Sequence, residues 1–292
     1  MSELRKLVAE ELSTPVDPRV RGVAQAIAAK HGASSRAVLF YGSCLRQNEL
    51  EGLMLDFYLI VTDYRSAYEK RWLSSANRMI PPNVFHFEHD GLASKYAVLS
   101  EEDFEHECSP EAWTVSTAAR FAQPSRLVWN ADQGAAGRTI DLVSTAAPTL
   151  LGWTLPLAPR SDVLGLWKRA FELTFASELR AERLNRSAAI VEAEPSRYER
   201  LGNAVLETLG SPSRTSLQAE AWWRGKQRHG KLYSIARLAK ASLTFAGGAD
   251  YIAWKINRHA GTDIQLKPWQ QRHPLIAAIT LLPRLIRSGA VR

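Results

Sequence analysis

Cysteine is scarce in this chain, with only Cys44 and Cys108 among 292 residues. Two cysteines cannot build the disulfide framework that stabilises many small secreted domains, and their spacing matches no zinc motif. The scarcity therefore favours a reducing compartment.

The sequence also lacks a long apolar run. Its apolar stretches are broken by charges well short of the roughly 20 residues that a membrane-spanning helix needs. Residues 1–11 are charged throughout, without the apolar centre of a signal peptide. With 46% hydrophobic residues and a mean hydropathy of −0.21, the composition predicts a soluble, cytoplasmic protein that would reach any lipid substrate from the membrane surface.

Acidic residues are outnumbered by basic ones. The chain has 37 Lys and Arg against 30 Asp and Glu, which gives a formal net charge of +7 and a pI of about 9.5. Such an excess suits an anionic partner, whether nucleotide, nucleic acid or acidic lipid, although many basic proteins bind none of these. The length allows one large domain or two ordinary ones.

The stretch AVLFYGSCLRQNELEGLMLDFYLIV, residues 37–61, contains the main functional pattern. Two short runs rich in β-branched and aromatic residues, 38–41 and 55–61, predict a pair of neighbouring strands. Gly42 and Ser43 end the first strand. A glycine lets the backbone come close to a ligand, and a Ser hydroxyl with the free N–H groups that follow can hold a phosphate.

Alternation in the second strand places Asp56, Tyr58 and Ile60 on one face, so we expect Asp56 to face the Gly-Ser turn. The order of these features resembles the signature of polymerase-β-type nucleotidyltransferases: a strand, Gly-Ser, the intervening residues 44–55, and then an Asp in an apolar strand. There the turn holds a nucleoside triphosphate, and two carboxylates two residues apart hold a divalent metal. Here the second position is Tyr58. A tight turn and a solvated Asp at a strand edge would give the same pattern by chance.

The continuation of the chain carries a more specific resemblance. Five runs that follow one another in the chain are similar to the mitochondrial-type phosphatidate cytidylyltransferase family. They are YGSCLRQ, LDFYLIV, SKYAVLSEEDF, WTVSTAARFAQP and KASLTFAGGADYIAWK. The similarity covers most of the chain and thins between residues 134 and 231. It implies a polymerase-β-like fold, Mg²⁺, and transfer of CMP from CTP to phosphatidic acid, giving CDP-diacylglycerol and pyrophosphate. Cys44, Leu45 and Ala97 depart from the family, because more glycine-like residues are expected there.

Three further residues are candidates for this site. Lys95 would meet the triphosphate, as the resemblance favours; alternatively it is an edge-strand lysine that discourages aggregation. Glu88 lies on the polar face of a predicted strand, and would either add a metal-binding carboxylate beside Asp56 or be solvated. Arg120 could donate to phosphate or pair with an acid. The predicted site comprises Gly42, Ser43, Lys95 and Arg120 for the nucleotide, Asp56 and Glu88 for Mg²⁺, and Asp56 and Lys95 as catalytic residues.

The predicted fold class is α+β. A polymerase-β-like nucleotidyltransferase domain with a small mixed sheet, residues 1–135, precedes a helical domain, residues 136–250. A basic amphipathic tail, residues 251–292, completes the chain. The small, glycine-rich stretch 134–138 is the predicted boundary, because helical patterns dominate after it.

Two basic segments of the chain indicate which kinds of partner the protein could bind. Residues 222–240 interleave Lys and Arg with aromatic residues, which suits nucleic acid, lipid headgroups, or a solvated helix with Leu232, Ile235 and Leu238 towards the core. No RNA- or DNA-binding motif accompanies them, so no nucleic acid partner is expected. Beyond residue 253, one acid accompanies seven basic residues: Lys255, Arg258, Lys267, Arg272, Arg284, Arg287 and Arg292. With Trp, Leu and Ile between them, this pattern predicts an anchor on an anionic membrane surface, or else a packed C-terminal helix.

Three functional hypotheses follow. The first is a peripheral, Mg²⁺-dependent cytidylyltransferase that acts on CTP and phosphatidic acid. The second keeps the nucleotidyltransferase fold but acts on a small molecule, a protein or RNA. The third is a binding module without catalytic activity, in which a single strand carboxylate no longer holds metal.

Overall fold

A computed structural model of the chain describes residues 2–47, 50, 52–158, 161–178, 186–212, 214–244, 265 and 267. The predicted amphipathic tail therefore lies outside the described residues, apart from Gln265 and Lys267. None of the helices in the described ranges is long and apolar enough to cross a membrane.

Helices and strands are interspersed in the first half of the chain, and the elements after β5 are helices. In chain order they are α1 Glu3–Ser13, α2 Pro18–His31, β1 Ser35–Tyr41, α3 Ser43–Gln47, β2 Leu55–Val61, α4 Tyr64–Ala67, α5 Arg71–Met79, β3 Asn83–His89, β4 Leu92–Ser100, α6 Glu101–Cys108, α7 Ser116–Phe121, β5 Ser125–Asn130, α8 Gln133–Thr154, α9 Val163–Phe175, α10 Arg186–Ala193, α11 Pro195–Leu206 and α12 Ser216–Thr244.

The five strands form one mixed sheet in the order β3-β4-β2-β1-β5. The β2–β4 pair is parallel and the other three pairs are antiparallel. The α+β class, the mixed sheet and the pairing of the two strands around the Gly-Ser turn are thus confirmed. Strand β5 has no counterpart among the predicted elements.

Helix α2 shows how the sequence specifies an element beside the sheet. The Asp17 side chain caps it by accepting from the Arg19 N–H at 2.8 Å, and Pro18 occupies its first turn. Gly32 ends it with a φ of 56°, a conformation that glycine adopts without strain. In the sequence, apolar residues recur at helical spacing after Asp17, a favoured capping residue, which predicts a capped helix with a buried stripe. The stripe is confirmed as buried: Val20, Val23, Ala24, Ile27 and Ala28.

The sheet is covered on both faces. One face packs against α2 and α4 and buries residues such as Phe40 and Phe57. The other carries Leu39 and Ile60 into an apolar cluster that includes Trp167 of α9. Burial of a large apolar side chain contributes about 1.5–3 kcal/mol, so contacts between the sheet and the C-terminal helices stabilise the arrangement substantially.

The predicted domain boundary at 134–138 lies in the first turns of α8, where the Asp132 side chain accepts from the Ala135 N–H at 2.7 Å. Side chains from both sides of this point share one apolar cluster. The division at residue 135 stays a prediction, and no extended linker separates the two regions here.

Three local predictions need correction. The polar pattern of residues 64–79, which ends before Pro81 and Pro82, predicts one helix. These residues form two helices, because Tyr68 is extended, with φ −129° and ψ 129°. Helix α1 was not predicted; Ser2 caps it, and its apolar side chains Leu4, Val8 and Leu12 are buried.

The sequence of residues 113–121 is helical in pattern and predicts a helix from residue 113, but the helix begins only at Ser116. The preceding loop is held by Glu107, which accepts from the Trp113 N–H at 3.2 Å and the Thr114 hydroxyl at 2.7 Å. Glu107 is 1% exposed, although its place in the acidic helical segment 101–108 predicts a residue on a solvated face rather than a metal ligand. Because a buried acid needs such donors, Glu107 is a structural residue of the loop that leads into α7.

One expectation for α12 is corrected as well. Leu232, Ile235 and Leu238 are exposed on this helix, with exposures of 68%, 37% and 38%, instead of pointing to the core.

Candidate functional site

A row of mostly polar residues crosses the whole sheet at one end. Its members are successive register partners, one on each strand: Ser125 on β5, Tyr41 on β1, Asp56 on β2, Lys95 on β4 and His86 on β3. Partners directly opposite each other share a face of the sheet. The row therefore brings together residues that lie far apart in the sequence, with Asp56 at its centre.

Gly42 directly follows the Tyr41 position of this row and lies against Asp56. Its φ is 98°, and a Cβ added to it would stand 2.7 Å from Oδ2 of Asp56 and 3.2 Å from the Asp56 Cβ. Any other residue would therefore strain the backbone and collide with the carboxylate. The expectation that Asp56 faces the Gly-Ser turn is confirmed.

Lys95 is ion-paired with Asp56. The distance from Lys95 Nζ to Asp56 Oδ1 is 2.9 Å, and the two side chains are 23% and 16% exposed. Strand β4 lies between β3 and β2, so Lys95 is not on an edge strand, and the alternative role in discouraging aggregation is wrong. The parallel register of β2 and β4 places the two charges opposite each other.

Arg120 lies on the same face, beside two tyrosines. Its Nη1 donates to the Tyr58 hydroxyl at 2.9 Å, and its guanidinium lies 5.3 Å from the Tyr41 ring centroid and 5.5 Å from that of Tyr58. Burial acts to lower the pKa of Arg120, but interactions with Tyr58, Tyr41, Glu178 and Asp56 outweigh it and raise that pKa. Arg120 therefore stays charged and contributes positive potential beneath the row.

Tyr41 connects the row to Arg120. Its ring packs on the Tyr58 ring with centroids 5.4 Å apart. Burial raises the pKa of the Tyr41 hydroxyl well above its usual value, and the negative charge of Asp56 adds to this effect. The hydroxyl therefore stays protonated at neutral pH, as a hydrogen-bond donor rather than a base.

Glu88 is not brought to Asp56. It lies on β3, opposite Ala93 of β4. Strand β3 is two strands away from β2, a separation of about 10 Å across the sheet. Its side chain is 70% exposed, and its Oε1 is 3.5 Å from Nε2 of His86. The metal-binding role of Glu88 stays a prediction that this arrangement does not support.

Cys44 is a structural residue of the loop after the turn. It is buried, and its Sγ donates to the Met54 carbonyl at 3.3 Å. Burial raises the pKa of the thiol, and Asp56 adds to the shift, so the thiolate is disfavoured. Ser43 precedes it as the first residue of α3.

A divalent metal would have one protein carboxylate here. Within the described ranges, no group of three or more His, Cys, Asp and Glu could hold a metal ion. Mg²⁺ is commonly held by one or two carboxylates together with substrate phosphate oxygens. Asp56 fits such a site, provided that a cation replaces Lys95 at its Oδ1.

A cavity of about 410 Å³ beside α6 shares no residue with the row. Glu102, Glu105 and Glu111 line it together with His106 and Trp113. Acidic side chains repel a triphosphate, so this cavity is not a candidate for nucleotide binding.

The sequence pattern did not indicate which side chains Tyr41, Tyr58 and His86 contact at this site. Tyr58 was noted only as a departure from paired carboxylates, yet its hydroxyl orients Arg120. The signal was present, because strand alternation puts Tyr58 on the Asp56 face. No sequence pattern indicates that His86 and Lys95 are opposite each other, since strand order decides it.

Comparison with known proteins finds distant structural similarities. No model of a known protein family matches the sequence, and no curated protein matches it. Among solved structures, the chain is similar to a nucleotidyltransferase-like protein from Exiguobacterium sibiricum 255-15, with a TM-score of 0.28 and 10% sequence identity. The match covers 92% of each chain. This similarity is distant.

Proposed function

We propose that this chain is a nucleotidyltransferase whose nucleotide site lies where Gly42, Asp56 and Lys95 meet. The observation that supports it is the contact of the Asp56 carboxylate with both residues: a glycine whose missing side chain makes room for the carboxylate, and a lysine held 2.9 Å away. The N–H groups of such a turn and a compact positive charge can hold phosphate, and the carboxylate could hold the accompanying Mg²⁺.

Each of these residues has its own task in the proposed reaction. Gly42 makes room for the Asp56 carboxylate beside the turn, and the Ser43 hydroxyl can donate to phosphate oxygens. Lys95 neutralises phosphate charge as a compact ammonium group, and Arg120 keeps the sheet face positive. Mg²⁺, when bound at Asp56, would supply further charge neutralisation.

CTP and phosphatidic acid are the proposed substrates, which the resemblance in the sequence supports. A phosphate oxygen of phosphatidic acid forms a bond to the α-phosphorus of CTP, and the bond from that phosphorus to the bridging oxygen breaks, so pyrophosphate leaves. The attacking group is already an anion, so little proton transfer is required. The protein chiefly positions the reactants and screens their charges.

A nucleotide-binding module without catalysis is the second candidate. The observation that favours it is that Lys95 already neutralises Asp56, while the described residues hold no cluster of three metal ligands. In this reading the site still binds phosphate through Lys95 but does not assemble a metal centre.

Pyrophosphate release separates these candidates. Purified protein would be supplied with Mg²⁺, each of the four nucleoside triphosphates in turn, and vesicles with or without phosphatidic acid. Asp56→Asn is the test variant. Asp90→Asn is the matched control, because it removes the same charge from an exposed turn whose positive φ suits Asn.

Release with CTP alone, dependent on phosphatidic acid and lost only in Asp56→Asn, is the expected result. Release without lipid would identify a transferase that acts on another acceptor. Binding of nucleotide without any release would favour the binding module.

A further inference from the structure

Arg120 uses few of the hydrogen-bond donors on its guanidinium group. An arginine side chain carries five N–H donors and no acceptor. Within the part of the chain that the structure describes, the Tyr58 hydroxyl at 2.9 Å is the one hydrogen-bond acceptor of Arg120, and no acid forms an ion pair with it. The side chain is partly buried, where a charged group needs partners. Its remaining donors are therefore available to a ligand that brings negative charge.

Tyr41 adds a donor at the same place. The guanidinium of Arg120 lies 5.3 Å from the centroid of the Tyr41 ring. Burial is the main cause of the raised pKa of Tyr41, and the charges of Asp56, Arg120 and Lys95 also act on it. The hydroxyl is thus within electrostatic reach of all three charged groups, and it forms no hydrogen bond with the described residues. It can donate to an anion that binds beside Arg120.

Phe121 holds these donors in place. It follows Arg120 at the end of α7, and its ring centroid is 6.1 Å from that of Tyr41 and 5.1 Å from that of Tyr58. Helix α7 therefore sets Arg120 on a packed aromatic base that belongs to β1 and β2. Donors that are held in this way lose little conformational entropy when they bind a ligand.

Lys95 and Arg120 approach Asp56 from different directions. Lys95 is opposite Asp56 on β4, whereas Arg120 lies over Tyr41 of β1 and over Tyr58, two residues further along β2. Transfer of a nucleotidyl group to a phosphate brings two anionic substrates together, and these repel each other. A separate positive group for each substrate offsets this repulsion.

We propose that Arg120 and the Tyr41 hydroxyl bind the phosphate group of the acceptor substrate, which makes the acceptor a phosphomonoester. The planar guanidinium matches two phosphate oxygens, and the Tyr41 hydroxyl donates to a third. This inference rests on the proposed function and deepens it, because it separates an acceptor subsite from the nucleotide groups Lys95 and Ser43. It differs from the sequence prediction, which assigns Arg120 to the nucleotide.

Calorimetry on the full chain tests this subsite with two phosphomonoesters. Glycerol 3-phosphate is the soluble probe, and dihexanoyl phosphatidic acid, kept below its micelle concentration, carries the same group on a lipid. Each would be titrated with and without Mg²⁺ and a CTP analogue that cannot transfer its nucleotidyl group. The analogue is titrated separately, so that nucleotide binding and acceptor binding are measured independently.

Two variants remove the proposed contacts with little change in volume or charge. Arg120→Lys keeps the positive charge and removes the planar fork, and Tyr41→Phe keeps the ring and removes the hydroxyl. Arg237→Lys and Tyr233→Phe are the matched controls, because Arg237 lies 4.6 Å from the Tyr233 ring centroid on α12, outside the row. If Arg120→Lys does not fold, as urea unfolding would show, Tyr41→Phe still tests the subsite.

The expected result is phosphomonoester binding that persists when the analogue is bound. Affinity for the phosphomonoester should fall at least ~10-fold in Arg120→Lys and about 3-fold in Tyr41→Phe, with no change in the two controls. The analogue should bind all variants with similar affinity. Tighter binding of the lipid probe than of glycerol 3-phosphate would identify a lipid acceptor, and equal binding a soluble one; both support the shared chemistry.

Three outcomes would overturn the inference. Loss of analogue affinity in Arg120→Lys, or displacement of the phosphomonoester by the analogue, would assign Arg120 to the nucleotide. Unchanged phosphomonoester affinity in both site variants would show that Arg120 only supports Tyr58. A wild type that binds the analogue but no phosphomonoester would refute this inference alone, whereas phosphomonoester binding without analogue binding would contradict the proposed function instead.

Discussion

The Asp56 carboxylate fills the space that a side chain at Gly42 would need, with Oδ2 2.7 Å from the position of a Cβ. The strand register fixes this relationship, because Tyr41 is opposite Asp56 and Gly42 is the next residue. The absence of a side chain at Gly42 therefore makes room for the Asp56 carboxylate. We expect the turn to hold a ligand only where this contact is kept.

Gly42→Ala should disrupt the site more than it disrupts the fold. The new Cβ would collide with Asp56 in addition to the backbone strain at positive φ, so we expect a loss of about 1–3 kcal/mol of unfolding free energy. Nucleotide binding should be lost. Gly91→Ala is the control, because Gly91 has a φ of 75° and nothing within 4 Å of its Cβ position. Urea unfolding and calorimetric nucleotide titration measure both effects; equal nucleotide affinity in the two variants would contradict the prediction.

The Asp56–Lys95 pair should show coupling in a double-mutant cycle. Each single variant, Asp56→Asn or Lys95→Met, leaves a partly buried charge without its partner, whereas the double variant leaves none. We expect a coupling energy of about 1–2 kcal/mol in urea unfolding, since the pair retains some solvent exposure. Additive effects would show that the ion pair does not stabilise the fold.

Lys95 should also couple metal binding to nucleotide binding. A cation at Asp56 competes with the Lys95 ammonium for the carboxylate and is repelled by it, so Lys95→Met should bind Mn²⁺ alone more tightly than the wild type does. The same variant should bind nucleotide more weakly in the absence of metal. Mn²⁺ binding followed by electron paramagnetic resonance gives the first result and calorimetry the second. Lys168→Met is the control, because Lys168 pairs with Glu192 elsewhere; unchanged Mn²⁺ affinity in Lys95→Met would refute the coupling.

Tyr58→Phe isolates the contact that orients Arg120. It removes the hydroxyl that accepts from Arg120 and keeps the ring beneath the guanidinium. We expect a loss of about 1–3 kcal/mol in unfolding free energy, because a buried charged donor loses its acceptor. Nucleotide affinity should fall less than in Lys95→Met. A stability equal to that of the wild type would mean that water or another acceptor replaces the hydroxyl.

Lys240 should make stability depend on pH. Burial, followed by repulsion from Arg237, lowers the pKa of Lys240 to about 7, whereas a lysine in an unfolded chain titrates near pH 10.4. Between these values the unfolded chain binds one more proton than the folded chain, so this residue's contribution to stability increases as the pH rises.

Comparison of the wild type with Lys240→Met tests the direction of this pH dependence. The unfolding free energy of the wild type minus that of the variant should increase between about pH 7 and about pH 9, and change little below about pH 6. Chemical unfolding at several pH values gives this difference. A constant difference would show that Lys240 keeps its proton when folded, held by the carbonyls of Ile80 and Pro82.

Local patterns predicted the elements around the site, because short-range chemistry sets them. The Asp17 cap, the apolar stripe of α2 and the alternation in β2 depend on residues close in sequence, and all are found in the structure. The contact between Asp56 and the Gly-Ser turn follows from the same alternation together with the pairing of adjacent strands.

Strand order could not be obtained in this way. The position of β4 between β3 and β2 decides that Lys95 meets Asp56 while Glu88 lies two strands away. Burial of Glu107 and exposure of Leu232 likewise depend on which elements pack together. These outcomes are set by tertiary contacts, for which the local sequence carries no signal.

Nucleotide titration tests the central claim most directly. Calorimetry would compare CTP with Mg²⁺ binding to the wild-type chain, Asp56→Asn, Lys95→Met and the Asp90→Asn control. We expect wild-type affinity in the control and a loss of at least ~10-fold, about 1.4 kcal/mol, in each of the two site variants. Equal affinity in all four proteins would place nucleotide binding away from Gly42, Asp56 and Lys95, and would contradict the account.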